Sequence, residues 1–517
     1  MKKQAIRFLA LLLVVLISTG CQNVPTAAEK TLPLETAETM SGPDMAQTTT
    51  QETEPSDTLW VVMEENEAMG SLVKLMINRF GQSHPDVKIE LEILPNGNKQ
   101  GKEYEDAREI ALQQLRTSIM ARKGPDIYLM PSVTTTYEML FQDVNQAMRN
   151  GLFEDLSEYY DADTELDTQS LLTGIMDAGV LDGARYVLPL RYDLPVAYVD
   201  MEQFTAAGGS IDMFDGGIMN LLEKVLATES AELAKGAFIG TSAEQKFAMN
   251  FLGQCVDYDE QEVIVEEQTV ADLLTAIQRV RSANLIPAEN WEDRVYLNAP
   301  SDLDRMFSNG DFWTAQSCMY ISTMQDLFDN AVYAKVMEKE ITMLPLGDVE
   351  GKITADVTYY GAVGDACEDT ALAYEFLRLF LTEDAQIQWN QDTADPAYYL
   401  GWPVRIHNDV SELWKMQQSR LRMVSPFDDS GWSEEQKEDV GKIKAAMMDR
   451  AFNVTNEDIS ILDTEVDHVQ FSIDLESRLS DLIYGLNDSI TCEPISVDID
   501  DAAAEFVEEL MWHLAEG

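Results

Sequence analysis

The chain has 517 residues, of which 92 are Asp or Glu and 36 are Lys or Arg, so its formal net charge is −56 at pH 7. This length exceeds what one hydrophobic core usually supports, and the 45% apolar content is enough to fill two lobes or domains. Disorder of the whole chain is therefore excluded. Binding to nucleic acid or to an anionic lipid surface needs a basic footprint, so the acidity argues against both partners.

Residues 1–20 have the pattern of a secretory signal peptide. A short basic stretch precedes the apolar residues 8–17, a segment too short to be a permanent transmembrane helix. The following Ser18-Thr19-Gly20-Cys21 resembles the lipobox of bacterial lipoproteins, although Ser18 departs from the usual Leu. We therefore expect Cys21 to be lipidated and to become the new N-terminus. An ordinary signal peptide with an incidental Cys is the alternative.

Residues 21–57 are predicted to be the lipidated Cys and a flexible tether. The segment is rich in Thr, Glu, Pro and Ala and has hardly an aromatic residue, which leaves too little apolar surface to offset the entropy of ordering. A lipid, a tether and a large acidic body predict a protein held at the outer face of the cytoplasmic membrane.

The body begins with the pattern of an α/β protein. Residues 59–63, 87–93 and 126–130 are predicted strands, and apolar residues at helical spacing predict helices over 72–80 and 107–119. Strands that alternate with helices imply a mainly parallel sheet, whose ligands lie beyond the carboxyl ends of the strands. The part after Ser433 is helical by pattern.

Seven short motifs follow one another in the order found in the extracellular solute-binding proteins of bacterial ABC importers, in particular the family 1, oligosaccharide-binding type. They are Lys-Gly-Pro-Asp-Ile at 123–127, Gly-Leu-Phe-Glu-Asp-Leu-Ser at 151–157, residues 181–189 with 196–200, Met-Phe-Ser-Asn-Gly-Asp at 306–311, Leu-Pro-Leu-Gly at 344–347, the helix pattern at 371–381 and Gly-Trp-Pro-Val-Arg at 401–405. Each motif is short, and the order of the set carries the resemblance.

The resemblance implies a two-lobed, type II periplasmic-binding-protein-like fold with the ligand cleft between lobes joined by three hinge crossings. Lobe 1 would comprise 58–190 and 345–400, and lobe 2 would comprise 191–344 and 401–517. Closure about the hinge would bury the ligand. The ABC permease subunits would then recognise the closed form.

Eight residues are candidate ligand contacts by position, because aromatic faces and a few polar groups among apolar walls orient a sugar. They are Glu64 and Glu65 after the first strand, Tyr137 after the third, Tyr192 and Asp193 at the first crossing, Tyr359 and Tyr360 before Gly361, and Trp402 at the third crossing. Each position also suits a structural role, as a helix cap, a flank of a buried strand or hinge packing.

One departure from the family weakens the carbohydrate assignment. The oligosaccharide binders show a Gly closely followed by Trp after the strand predicted here at 315–321, whereas this chain has Ser322-Thr323-Met324-Gln325. An expected stacking ring is therefore missing. The assignment to a binding protein does not depend on that ring.

The sequence carries no signature of a serine or zinc hydrolase, and its four His residues are scattered. A glycoside hydrolase needs only two carboxylates, so the acids do not exclude one. We expect no cofactor and identify no metal ligand. The acidic loop 161–167 lacks the Gly turn and terminal Glu of a calcium loop, so we expect it to be a solvated loop, and whether a metal ion binds stays open. Cys255, Cys318, Cys367 and Cys492 permit three pairings or free thiols.

These observations predict a lipid-anchored, monomeric solute-binding protein without catalytic activity. It would capture a mono- or oligosaccharide and deliver it to an ABC permease, and its only membrane contact would be the lipid anchor. A surface lipoprotein that binds a protein or peptide partner without transport is the first alternative. A glycoside hydrolase is the second.

Overall fold

The structure is a computed structural model. It describes residues 57–64, 67–95, 97, 101–132, 138–228, 233, 237–239, 248–283, 318–388, 401–405, 410, 434–449, 451–459, 461, 464–473, 475–487 and 494–516. All of them belong to one compact unit, Glu54–Gly517. Among these residues, none of the helices combines the length and the apolar character needed to cross a membrane.

The first sheet has seven strands and contains the three strands predicted at the start of the body. Its members are β1 (Asp57–Glu64), β2 (Val87–Leu94), β3 (Ile127–Pro131), β6 (Val187–Asp193), β13 (Thr354–Val363), β14 (Trp402–Pro403) and β15 (His468–Phe471). The order is β14-β6-β13-β3-β1-β2, and β15 pairs with β13. β1 runs parallel to β2 and β3, whereas β13 runs antiparallel to β3 and β6.

Alternation along β1 explains why helices cover both faces of this sheet. Leu59, Val61 and Met63 share a core with the helix α1 (Glu67–Ser83), whereas Val62 faces the core of α2 (Lys102–Met120). Successive side chains of a strand point to opposite faces, so one apolar run serves both cores. Both predicted helices are confirmed, and the predicted α/β layering is confirmed with them.

The second sheet has four strands in the order β12-β7-β11-β8. They are β7 (Pro195–Asp200), β8 (Ala237–Ile239), β11 (Met319–Thr323) and β12 (Ile341–Pro345). β7 runs antiparallel to β11 and β12, and β11 runs parallel to β8. The strand predicted at 315–321 corresponds to β11, which extends to Thr323; residues 315–317 lie outside the described part of the chain.

The remaining elements cover or connect the two sheets. The short strands are β4 (Val180–Leu181), β5 (Ala184–Arg185), β9 (Val256–Asp257) and β10 (Glu262–Val263). The further helices are α3 (Val144–Arg149), α4 (Ser157–Ala162), α5 (Thr173–Asp177), α6 (Met201–Ala206), α7 (Gly217–Ala227), α8 (Glu267–Ala283), α9 (Leu327–Met337), α10 (Thr370–Leu377), α11 (Glu383–Gln388), α12 (Glu434–Met448), α13 (Leu475–Gly485) and α14 (Ile499–Glu516).

The two faces of the second sheet belong to different cores. Val196 and Tyr198 of β7 join the core that also contains residues of α1, α9 and α12. Ala197 and Val199 face a second core that is built with α7, α8, α13 and α14. Helices therefore cover this sheet on both faces as well.

Short segments carry the chain between the sheets. A single residue, Leu194, separates β6 of the first sheet from β7 of the second, and residues 346–353 connect β12 back to β13. β14 and β15 both pair with the first sheet, although the sequence places 401–517 in lobe 2. The lobe boundaries stay a prediction.

Candidate functional site between the two sheets

Asp193 lies at the first crossing between the sheets and hydrogen-bonds to the backbone of the crossing and of the segment that follows β11. Its Oδ1 accepts hydrogen bonds from the backbone N–H of Leu194 at 2.8 Å and of Met324 at 2.9 Å. Trp402 donates its Nε1–H to the backbone oxygen of Met324 at 2.8 Å, and its ring stacks on Phe328 with 5.3 Å between centroids. Two candidate residues from the first sheet therefore bind the N–H and the C=O of one residue that follows β11. Asp193 and Trp402 thereby link the first sheet to the segment that follows β11.

The three candidate tyrosines that the structure describes, Tyr192, Tyr359 and Tyr360, lie in the interior. Tyr192 is the register partner of Trp402 on the neighbouring strand. Tyr359 donates its hydroxyl to the backbone oxygen of Leu129 at 2.9 Å. Burial raises the pKa of Tyr192 and of Tyr360 well above the ordinary tyrosine value, so both hydroxyls stay protonated.

Glu64 forms a buried, bidentate ion pair at the carboxyl end of β1. Its two oxygens accept from Nη1 and Nη2 of Arg108 in α2, each at 2.8 Å. Arg108 also donates to the backbone oxygens of Pro95 and Glu138, at 2.7 Å each. This pair joins the end of the strand to two loops at the edge of the sheet where a ligand is expected.

The structure brings Tyr192, Asp193 and Trp402 together at the first crossing, and it places Glu64, Tyr359 and Tyr360 elsewhere in the first sheet. All six described candidates are at most 5% exposed. Glu65, Tyr137 and Cys21 lie outside the described residues. A direct contact between any of these residues and a ligand stays a prediction, and each described one has a structural role in the present conformation.

A cleft of about 190 Å³ lies along β15, and none of the six candidates that the structure describes lines it. Gln254, Asp257 and Tyr258 line it from the segment that packs with the second core, and Gln470 and Ser472 line it from the end of β15. Amide, hydroxyl and carboxylate groups can hydrogen-bond a polar solute. The alternation in His-Val-Gln-Phe-Ser at 468–472 was the available signal for this strand, because it is typical of a half-buried strand.

A hydrogen-bonded group at the rim of the cleft ties three distant segments together. Asp143, which caps α3, accepts from the Tyr258 hydroxyl at 2.7 Å through Oδ2. The same oxygen lies 3.1 Å from Nε2 of His513 in α14. Burial, and then the charge of Asp143, raise the pKa of Tyr258 well above its ordinary value. The C-terminal helix is thereby fixed beside the cleft.

Two buried acids, Asp356 of β13 and Glu476 of α13, accept hydrogen bonds from Ser472 and Met249, which line the cleft. Burial raises the pKa of Asp356 to about 7. Burial, followed by the charge of Asp356, also raises the pKa of Glu476 well above its ordinary value. Within the described part of the chain, no group of three His, Cys, Asp or Glu side chains could hold a metal ion.

This arrangement, two sheets with helices on both faces joined by short crossings, is that of a two-lobed solute-binding fold. A family model described as "Bacterial extracellular solute-binding protein" matches residues 64–387, which is more than half of the chain. The chain therefore belongs to the bacterial extracellular solute-binding protein family. A search among curated proteins found no match.

Two solved structures with a TM-score above 0.5 support the same fold at low sequence identity. The sugar-binding protein MalE from Xanthomonas citri is 13% identical, with 89% of this chain and 98% of that chain covered and a TM-score of 0.51. A de novo designed cysteine esterase is 10% identical, with 90% and 99% covered and a TM-score of 0.51. The GacH receptor of Streptomyces glaucescens is 14% identical, with 89% and 99% covered and a TM-score of 0.47. At these identities the likeness concerns the fold, which does not determine activity.

Proposed function

We propose that this protein is a lipid-anchored solute-binding protein that captures a small carbohydrate between its two sheets and delivers it to an ABC permease. The observation that carries the proposal is the pair of sheets joined by short crossings in a chain that matches the solute-binding family over 64–387. A one-residue crossing at Leu194 couples the sheets closely, so rotation about it would open or close the space between them.

The carbohydrate class rests on two supports. The sequence motifs resemble the oligosaccharide binders, and the sugar-binding protein from Xanthomonas citri shares the fold. The cleft along β15 also offers Gln254, Tyr258, Gln470 and Ser472 as neutral hydrogen-bonding groups of the kind that bind sugar hydroxyls. The Gly-Trp pair of the oligosaccharide binders is replaced at 322–325, so one stacking ring is missing. The binding screen therefore includes both mono- and oligosaccharides.

The proposal also includes the location and the partners. Cys21 would carry the lipid, residues 22–57 would serve as the tether, and the body would face the exterior as a monomer. The chain would perform no catalysis of its own. The membrane partner would be the permease subunits, which recognise the protein with its lobes closed around the ligand.

A thermal-shift screen of the purified protein against mono- and oligosaccharides, amino acids, peptides and polyamines tests this function. A ligand at 100 times its dissociation constant stabilises a fold by about 2.7 kcal/mol, which is readily visible. We expect a carbohydrate to raise the melting temperature and to be recovered unchanged. Chemical conversion of the ligand would indicate an enzyme. If no class of ligand raises the melting temperature, the lipoprotein that binds a protein or peptide partner would be favoured.

A pair of matched variants locates the site. Tyr192→Phe removes one hydroxyl at the crossing, whereas Tyr159→Phe removes one from α4, away from the crossing. If Tyr192 contacts the sugar, only the first variant lowers the affinity. Equal affinities for both variants would leave Tyr192 with a purely structural role.

A further inference from the structure

One face of the paired strands β13 and β15 is polar and is turned toward the second core. Thr354 and Asp356 alternate with apolar residues on β13, and His468, Gln470 and Ser472 do so along and just beyond β15. The parallel register aligns Thr354 with His468 and Asp356 with Gln470. Aligned residues of neighbouring strands project to the same face, so these polar side chains form one surface.

Asn250 brings this surface into contact with the second core. It lies in the 3₁₀ helix Met249–Phe251, and its Nδ2 donates to Oδ1 of Asp356 at 3.2 Å and to the backbone oxygen of Thr354 at 3.1 Å. Ser472 donates its hydroxyl to Oδ2 of Asp356 at 3.3 Å. The Asp356 carboxylate is therefore enclosed, and its residue is 0% exposed.

Glu476 adds a second buried carboxylate from the same side as Asn250. Its Oε1 accepts from the backbone N–H of Met249 at 3.1 Å, next to Asn250 in the chain. Glu476 and Asp356 therefore bind neighbouring residues of the same 3₁₀ helix, Met249 and Asn250. Neither acid forms an ion pair with a Lys, Arg or His among the described residues. The charged forms of two buried carboxylates without a counter-charge are strongly unfavourable.

Two neutral oxygens in the same group lack hydrogen-bond partners. Oδ1 of Asn250 and Oγ1 of Thr354 are buried and unpaired within the described residues, and both residues are at least 98% buried. The Asn250 amide lies between Thr354 and Asp356, because its nitrogen bonds to both, and Thr354 shares the strand face of Asp356. An unpaired buried polar group in a native structure calls for an unseen partner.

We propose that Asp356, Glu476, Asn250 and Thr354 form a binding site for a hard divalent cation of the calcium type. Such cations take oxygen ligands from carboxylates, amide carbonyls and hydroxyls, with water completing the shell. The two carboxylates match the charge of the ion. The neutral oxygens supply the ligands that a third acid supplies in other sites.

The cleft gives the ion a route from solvent, because Met249, Gln470 and Ser472 line it and belong to or adjoin the cluster. The ion would bridge β13 of the first sheet and α13 of the second core, so it would fasten the two sides of the junction. Sites of this kind in extracellular modules bind calcium with dissociation constants of about 10⁻⁴–10⁻³ M, which matches the location proposed for the protein.

Calorimetry and thermal shift on the mature protein with calcium chloride test the site, at an ionic strength matched with sodium chloride. The control must separate this site from weak binding to the acidic surface. Asp481→Asn serves that purpose, because Asp481 is exposed on α13 and its change removes the same charge as Glu476→Gln. We expect a calcium-dependent rise in melting temperature in the wild type and in Asp481→Asn.

Asp356→Asn and Glu476→Gln should each weaken calcium binding at least tenfold. Thr354→Val keeps the shape of the side chain and removes one oxygen, so it should weaken calcium binding less while the protein remains folded. This variant still tests the site if Asp356→Asn or Glu476→Gln does not fold. The proposal is overturned if calcium gives no more stabilisation than sodium chloride, or if the calcium effect survives in Asp356→Asn, Glu476→Gln and Thr354→Val alike.

Discussion

Replacing Glu64 by Ala should destabilise the protein through the charge that it leaves behind. Arg108 and Glu64 are 6% and 2% exposed, and the pair is bidentate at 2.8 Å, so the variant leaves a buried guanidinium without the carboxylate of Glu64. Breaking a buried ion pair from one side costs about 3–5 kcal/mol in the free energy of unfolding. Because Arg108 keeps its bonds to the Pro95 and Glu138 oxygens, we expect about 3 kcal/mol, at the low end of that range.

Urea unfolding followed by circular dichroism measures this loss, and two further variants test its cause. The double variant Glu64→Met with Arg108→Met removes both charges, so it should be more stable than Glu64→Ala alone. Glu138→Ala breaks the exposed pair with Arg116 and should cost less than about 1 kcal/mol. A loss below about 1 kcal/mol for Glu64→Ala, or a double variant as unstable as the single one, would refute the reasoning.

Three smaller predictions follow from the hinge and the second core. Trp402→Phe keeps a stacking ring but leaves the Met324 oxygen unpaired, so it should lower the free energy of unfolding by about 1–3 kcal/mol in urea titrations. Gly253→Ala should cost more than about 1 kcal/mol, because φ is +76° and the added Cβ would lie 2.2 Å from Oδ2 of Asp348. Burial raises the pKa of the Cys318 thiol to about 12, so the thiol stays protonated at pH 8, and mass spectrometry should show negligible alkylation by iodoacetamide until urea unfolds the protein.

Matched changes elsewhere serve as controls for these variants. Trp512→Phe alters an exposed ring and should leave the stability within about 0.5 kcal/mol of wild type. Gly174→Ala adds a Cβ with nothing within 4 Å, so it should be neutral or stabilising. A hinge variant no less stable than its control, or rapid alkylation of Cys318 in the native protein, would contradict the structural argument.

The start of the body could be predicted from the sequence because its signals are local. The alternation at 87–93 and the apolar run at 59–63 correspond to β2 and β1, and the helices between them follow from apolar spacing. The third strand was predicted one residue early, and β3 ends on Pro131. Such a shift at a boundary is small, and it leaves the order of elements unchanged.

The pairing of distant segments could not be predicted in the same way. β14 has two residues, too few for any periodicity, and it joins the first sheet only through its partner β6. β15 interrupts a region whose pattern predicts helices, and its place is set by β13, more than a hundred residues earlier. Non-local pairing of this kind depends on the whole fold.

The sequence predicted where the candidate residues lie along the chain, but it did not predict which of them are buried or what they contact. Position along the chain placed Asp193 at the first crossing and Trp402 at the third, but only the structure shows that both bind the backbone of Met324. Tyr359 lies at the predicted place on its strand, yet its hydroxyl is directed to Leu129 inside the sheet. Spacing indicates where a residue lies along a strand, and it does not indicate what covers the residue in three dimensions.

The most direct test of the account is a binding measurement with a mass balance. The purified protein is titrated calorimetrically with the carbohydrate that stabilises it best, and the sugar is then released by denaturation and analysed. The account predicts saturable binding of one sugar per chain and full recovery of the unchanged molecule. Conversion of the sugar, or the absence of saturable binding by any carbohydrate, would contradict the proposed function.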